Sequence, residues 1–334
     1  MQRRLSPGDG ELVASLDPSS RAHLSTVQFS YPLKLIVPAR RFLPAVQCAY
    51  VIGYGGGLVA GDRVRLRVEV GHGATLVLLT QGSTKVFKVR PGRYLTAPEL
   101  SESSTTQQLY RLSVLPSATL VVLPAPVTCF SRARYAQRQA VRLADASSSL
   151  VLLDWYTSGR MALGGGDNGE AWEFERYKSE NEVWLGGRRI AKDVLLLEDE
   201  TPSPPTAIAA GGGEQSDGHA AAAQPQQQQQ PETTYRARAA PYACYATLFL
   251  FGPACTGILA SVAAEFAALV QHKQRAPFSL VWSFSPLAGH PAGGGIARCA
   301  GDSTEAVREW VTHVLQQGGI EDIIGRDLWK SAFS

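Results

Sequence analysis

The run Gly53-Tyr54-Gly55-Gly56-Gly57-Leu58-Val59-Ala60-Gly61-Asp62 constrains this chain most, because of the segment that comes directly after it. Gly55, Gly57 and Ala60 fit the loose form of a dinucleotide-binding fingerprint. That fingerprint needs a helix next, since the pyrophosphate rests on a helix N-terminus. Here the next residues are Arg63-Val64-Arg65-Leu66-Arg67-Val68-Glu69-Val70, with an apolar side chain at every second position. That is the period of a half-buried strand. The glycines therefore join two strands. A nucleotide-binding α/β enzyme gives way to a β-rich protein with an acidic residue, Asp62, at a glycine-lined turn.

A short pattern recurs downstream. Gly73-Ala74-Thr75-Leu76-Val77-Leu78-Leu79 is echoed by Ser117-Ala118-Thr119-Leu120-Val121-Val122-Leu123 and by Ser147-Ser148-Ser149-Leu150-Val151-Leu152-Leu153. Each copy has small turn residues, then a continuous apolar strand of the kind covered on both faces. Unequal spacing excludes a regular solenoid, and an irregular β-helix-like stack of short strands fits. Stacked in register, the copies would gather Thr80-Gln81, Pro124-Ala125 and Asp154-Trp155 at one end. Two helices complete a mainly β fold. One carries the stripe Ile258, Leu259, Val262, Phe266, Leu269 and Val270. The other spans 303–317, with Asp302 as the expected N-cap and Gly318-Gly319 as its stop.

The domain plan is a flexible tail over 1–20 and a single β-rich domain over 21–330. Within it, 201–234 is a low-complexity insertion of Pro, Gly, Ala and the run Gln226 to Gln230, read as disordered. A net charge of +3 with 18% charged residues gives no block for nucleic acid. Arg132, Arg134, Arg138 and Arg142 fall on even positions, which makes them either one solvated strand face or a docking surface for an acidic protein. Five cysteines without a C-x-x-C pair form neither a disulfide framework nor a zinc site. Met1-Gln2-Arg3-Arg4 lacks a following apolar stretch, which argues against a secretory signal. Asp9, Glu11 and Asp17 argue against a mitochondrial presequence. The apolar tract from Ala243 to Val270 is interrupted by Gly252-Pro253, so it reads as strand, turn and core helix rather than a membrane span. The expected location is the cytoplasm, with no membrane partner.

Three groups of residues carry candidate chemistry. Ser83 and Lys85, in Thr80-Gln81-Gly82-Ser83-Thr84-Lys85, would lie on one face of a strand, which leaves open a nucleophilic serine with a lysine base. Asp154 follows an apolar strand and either clamps Arg160 or points into a cavity; a buried carboxylate needs a partner or a metal. Glu182, between Asn181 and Val183-Trp184, is the glutamate of its segment expected to point inward. Asp62, Asp154 and Glu182 with backbone carbonyls could make a site for a hard or borderline divalent metal. Carboxylate-only ligation of nickel is labile and suits transfer better than storage. Asp62 could equally just cap its turn.

Several segments taken together resemble the UreD family of urease accessory proteins, called UreH in some bacteria. They are Tyr31-Pro32-Leu33-Lys34-Leu35, the run from Tyr54 to Asp62, the run from Leu79 to Phe87, Pro126-Val127-Thr128-Cys129-Phe130, the run from Leu152 to Met161, the run from Phe174 to Ser179, and Tyr245-Ala246-Thr247-Leu248. They run in order over roughly residues 26–330, with 201–234 outside the resemblance. The resemblance implies a non-enzymatic scaffold with a β-helix-like stack and a small helical part. Such a scaffold binds the urease apoprotein, recruits UreF and through it the nickel-carrying GTPase UreG, and helps pass nickel through an internal tunnel. No cofactor is tightly bound; nickel is in transit. Asp62, Asp154 and Glu182 then become tunnel-lining or nickel-path residues. Thr80, Gln81, Ser83, Lys85 and Arg160 become polar residues of the tunnel or its support. Many members of the family carry an acidic residue where this chain has Ala125. Beside this reading stand a Ser83/Lys85 hydrolase and a plain interaction module without a metal role.

Overall fold

The computed structural model describes residues 5–40, 42–88, 105–160, 169–198, 234–269, 279–287 and 293–332. In chain order the strands begin with β1 (Asp9–Leu16), β2 (Ala22–Phe29), β3 (Leu33–Ile36), β4 (Val46–Gly53), β5 (Arg63–Val70) and β6 (Thr75–Leu79). They continue with β7 (Thr84–Val86), β8 (Thr106–Val114), β9 (Thr119–Leu123), β10 (Val127–Cys129), β11 (Arg134–Leu143), β12 (Ser149–Thr157), β13 (Arg176–Leu185) and β14 (Arg188–Glu198). Then come α1 (Tyr235–Ala239), β15 (Cys244–Phe251), α2 (Thr256–Ala268), β16 (Leu280–Pro286), β17 (Gly294–Gly301), α3 (Thr304–Gln317), α4 (Ile320–Ile324) and α5 (Arg326–Ala332).

Two open sheets result. The first runs β14-β13-β11-β8-β5-β1-β2, the second β16-β17-β15-β12-β9-β6-β4-β3, with β7 and β10 attached to the second through β12. From β4 to β13 the chain passes back and forth between them, so that β5, β8, β11 and β13 are parallel neighbours in one sheet and β4, β6, β9 and β12 in the other. This winding is mostly β, β-helix-like and not a closed barrel.

The three sequence copies lie side by side in register. Leu76 pairs with Leu120 and Leu120 with Leu150; Val77 pairs with Val121 and Val121 with Val151. Alternation sends Leu76, Leu120 and Leu150 into the core between the sheets, and Val77, Val121 and Val151 into a second core beneath the helices. Every residue of β12 is buried for that reason. Each such leucine contributes about 1.5–3 kcal/mol through burial, so the register is tightly specified.

The N-terminal segment departs from expectation. Residues 9–16 are not a loose tail: β1 pairs antiparallel with β2 and parallel with β5, and Leu12 and Ala14 are fully buried. Their alternation was masked by the Ser, Pro, Gly and Asp around them. The N-cap of α3 is Ser303, whose side chain accepts from Ala306 N, so Asp302 is one residue too early. The tract from Cys244 to Ala268 is a strand, a turn and a helix, and no helix among the described residues is long and apolar enough to cross a membrane. The insertion at 201–234 lies outside the described residues except for Thr234, whose side chain caps α1.

Candidate functional site: a buried carboxylate between the sheets

The alternation of β12 points its even residues toward the first sheet, and one of them is Asp154. Facing it are β11 and β13, which carry an inward row of Tyr135, Gln137, Gln139, Val141 and another of Tyr177, Ser179, Asn181, Val183. Register sets Gln137 beside Ser179 and Gln139 beside Asn181. Three neutral donors thus converge on one carboxylate. Gln137 Nε2 donates to Asp154 Oδ1 at 2.5 Å, Ser179 Oγ to Oδ2 at 2.5 Å, and Asn181 Nδ2 to Oδ2 at 2.6 Å. No cation joins them among the described residues. Burial pushes the Asp154 carboxyl above the ordinary carboxylate range, and the bonds from Ser179, Asn181 and Gln137 oppose that rise.

A cavity of about 40 Å³ lies against Asp154, lined also by Gln108, Tyr110, Gln137, Gln139, Thr80 and Ala125. It exceeds the roughly 10–15 Å³ that one water needs. A second cavity, lined by Gly53, Gly56, Gly57, Gln81, Gly82 and Ser83, shares Val51, Thr80, Thr84, Gln108 and Tyr110 with the first. Gln81 and Gly82 are exposed, so the outer cavity opens at the surface and abuts the inner one across these shared residues, with polar groups set among a more apolar lining. The gathering of the copy ends is also direct: Ala125 N donates to Thr80 Oγ1 at 2.7 Å, and Trp155 Nε1 donates to Pro124 O at 2.7 Å.

The glycine run forms the outer lip. Leu58 N donates to Lys85 O at 2.8 Å and Phe87 N to Leu58 O at 2.9 Å, so the glycine segment and the Thr80–Lys85 segment are zipped together. Gly57 makes the close approach possible. A Cβ there would sit 2.6 Å from the Phe87 ring and 2.8 Å from Lys85 O. Gly57→Ala is therefore expected to destabilise the protein by about 1–3 kcal/mol through overpacking, read as a lowered midpoint in urea unfolding.

The other expected site residues go elsewhere. Asp62 caps its own turn: Val59 N donates to Asp62 Oδ2 at 2.8 Å and Asp62 N donates to Val59 O at 3.0 Å. It is not among the residues lining either cavity. Glu182 is buried as expected, at 3% exposure, but on the wrong face. It is an even residue of β13, on the outer side of the sheet, paired with Arg138 at 2.9 Å and Arg189 at 3.0 Å. The expected three-carboxylate set is thus not assembled, and no other group of three His, Cys, Asp or Glu side chains able to hold a metal occurs among the described residues. Arg160 does not clamp Asp154. It pairs with Glu170 and stacks over the Phe130 ring at 4.1 Å. Lys85 is exposed, and no hydrogen bond joins it to Ser83 among the described residues.

Sequence reasoning missed Gln137, Ser179 and Asn181. The available signal was polar residues in phase with buried ones, Tyr135 and Val141 on one strand, Tyr177 and Val183 on the other.

A family model described as "UreD urease accessory protein" matches residues 7–327. The chain belongs to the UreD family. The match takes in β1, in keeping with its place in the sheet. Among curated relatives, Urease accessory protein 4 of Cryptococcus neoformans var. grubii is 33% identical over 98% of this chain and 95% of its own length. Urease accessory protein UreD of Sorangium cellulosum is 34% identical over 92% of this chain and 79% of its own. Urease accessory protein D of Arabidopsis thaliana is 44% identical over about half of each, 50% and 52%. The role of this UreD-family chain is accordingly that of a urease accessory protein.

Proposed function

We propose that the chain is a non-catalytic scaffold that binds the urease apoprotein, works with UreF and UreG, and guides nickel inward along the cleft between its sheets. The observation that carries this reading is the Asp154 cage. A carboxylate lining the inner of two abutting cavities is held by three neutral donors rather than neutralised by an arginine. Its charge is left to act on a passing cation. The cleft walls offer amides, hydroxyls and backbone carbonyls, which are weak ligands for a borderline divalent ion. One buried carboxylate with such neighbours suits passage better than retention. Ala125, where the family often carries an acid, lines the same cavity, so passage here relies on Asp154 more heavily.

Asp62 and Lys85 hold the lip in this reading, and Glu182 and Arg160 hold the outer sheet and the loop beside Phe130. The hydrolase alternative draws no support from the geometry, since Ser83 has no base bonded to it among the described residues. All five cysteines are free, buried thiols, in keeping with the reducing cytoplasm proposed here as its location.

Co-expression of the chain with its urease apoprotein and UreF, followed by UreG, GTP and nickel, tests the scaffold. Co-purification and urease activity that depends on this chain are expected. Full urease activity without it, or no association, would overturn the assignment.

A further inference from the structure

The helices of the fold cover the second sheet, and nothing among the described residues covers the outer face of the first. That face holds a groove of about 570 Å³ across β1, β5, β8, β11 and β13. Basic side chains outnumber acidic ones along it, and they are not evenly compensated. Arg65 pairs with Asp9 at 2.7 Å, and Arg138 is bonded to Glu182. Arg67, Arg111 and Arg142 are exposed and have no carboxylate within ion-pair distance among the described residues. Arg67 and Arg111 are direct register partners on adjacent strands, and Arg142 lies two residues beyond Ala140, the partner of Arg111. Adjacent strands are about 5 Å apart, and like charges directly opposite destabilise a sheet. Glu11 is the register partner of Arg67 on its other side, short of ion-pair contact, but no acidic register partner flanks Arg111 or Arg142, so a bound anion would relieve the remaining repulsion.

We propose that this groove docks an acidic segment of a protein partner, with carboxylates of the segment seated on Arg67, Arg111 and Arg142. A polypeptide fits better than a nucleic acid. Leu109, Ala140 and Trp184 line the groove and give peptide side chains an apolar floor that a phosphate backbone would not use. Arg forms bidentate pairs with carboxylates, which fixes register as well as charge. The groove lies on the opposite side of the sheet from Asp154, so its occupant is independent of the nickel path.

The test uses the full chain and two probes, poly-L-glutamate and a single-stranded oligonucleotide, with binding followed by calorimetry at low and physiological salt. Poly-L-glutamate is expected to bind, and at least about tenfold more weakly to a triple Arg67→Glu, Arg111→Glu, Arg142→Glu variant. A control reversing the exposed Arg21, Arg236 and Arg238 should bind like the parent. The gentler Arg67→Gln, Arg111→Gln, Arg142→Gln variant should also lose binding while melting no lower than the parent, because repulsion has been removed. No binding by the parent, equal binding by the triple variants, tighter binding of the oligonucleotide, or a lowered melting point in the Gln variant would each overturn the assignment.

Discussion

Asp154→Ala should destabilise the protein by about 2–4 kcal/mol and abolish urease activation. The stability loss follows from the cage. Gln137 Nε2, Ser179 Oγ and Asn181 Nδ2 all lose an acceptor in the interior, and an unsatisfied buried donor costs about 1–3 kcal/mol. Water entering the adjoining cavity would recover part of that. Asp154→Asn separates the two effects. It keeps the shape and one oxygen acceptor, and it removes a charge that burial disfavours. Because the folded-state carboxyl is held above its unfolded value, the folded protein keeps this proton to higher pH. The stabilisation is full below the unfolded value near ~3.9 and is lost as pH rises through the folded one. The Asn variant should therefore lack that decline; because its NH2 faces one of the cage donors, its urea midpoint at pH 7 should fall between those of the parent and Asp154→Ala. A parent and an Asn variant with the same pH profile would show that Asp154 does not titrate as its burial requires.

Glu182→Ala is expected to cost about 1–3 kcal/mol at pH 7, below the full penalty for breaking a buried pair because its cations are half exposed and screened by water. Glu182 holds Arg138 and Arg189, with Lys192 at 3.8 Å. The Arg138 guanidinium bonded to it holds the Glu182 carboxyl below the ordinary range, against the effect of burial. The sign is opposite to that of Asp154. Stability from a depressed carboxyl is present above the unfolded value near ~4.3 and is lost as pH falls through the folded one. The gap between parent and Glu182→Ala in urea unfolding should accordingly be full at pH 7 and close in acid. Urease activation should follow only the folded fraction. A folded Glu182→Ala protein that fails to activate urease would return Glu182 to the nickel path.

The register of the second sheet was legible because three copies repeat small turn residues before an apolar run, and identical patterns stack most easily on one another. The burial of Glu182 was legible too, but not its direction. Val183 and Trp184 are adjacent and so belong to opposite faces, which makes an apolar flank a poor compass; the phase of Tyr177, Ser179, Asn181 and Val183 decides the face. The Asp154 cage was hidden for a different reason. Gln137 precedes Asp154 by 17 residues and Asn181 comes 27 after it, and no local period reports which strands of two sheets will face each other. Of the two readings of Asp154, the cavity one holds and the Arg160 clamp does not: Gly159, at φ 134°, turns the chain after β12, and Arg160 pairs with Glu170.

The nickel content of urease matured with the Asp154→Asn protein tests the central claim most directly. Urease apoprotein, UreF, UreG, GTP and nickel are combined with parent or variant, and metal per urease active site is measured together with co-purification. Retained association with UreF and urease, and urease left largely without nickel, is the predicted result. Normal nickel loading by a folded, associated Asp154→Asn protein would contradict a path that runs past this carboxylate.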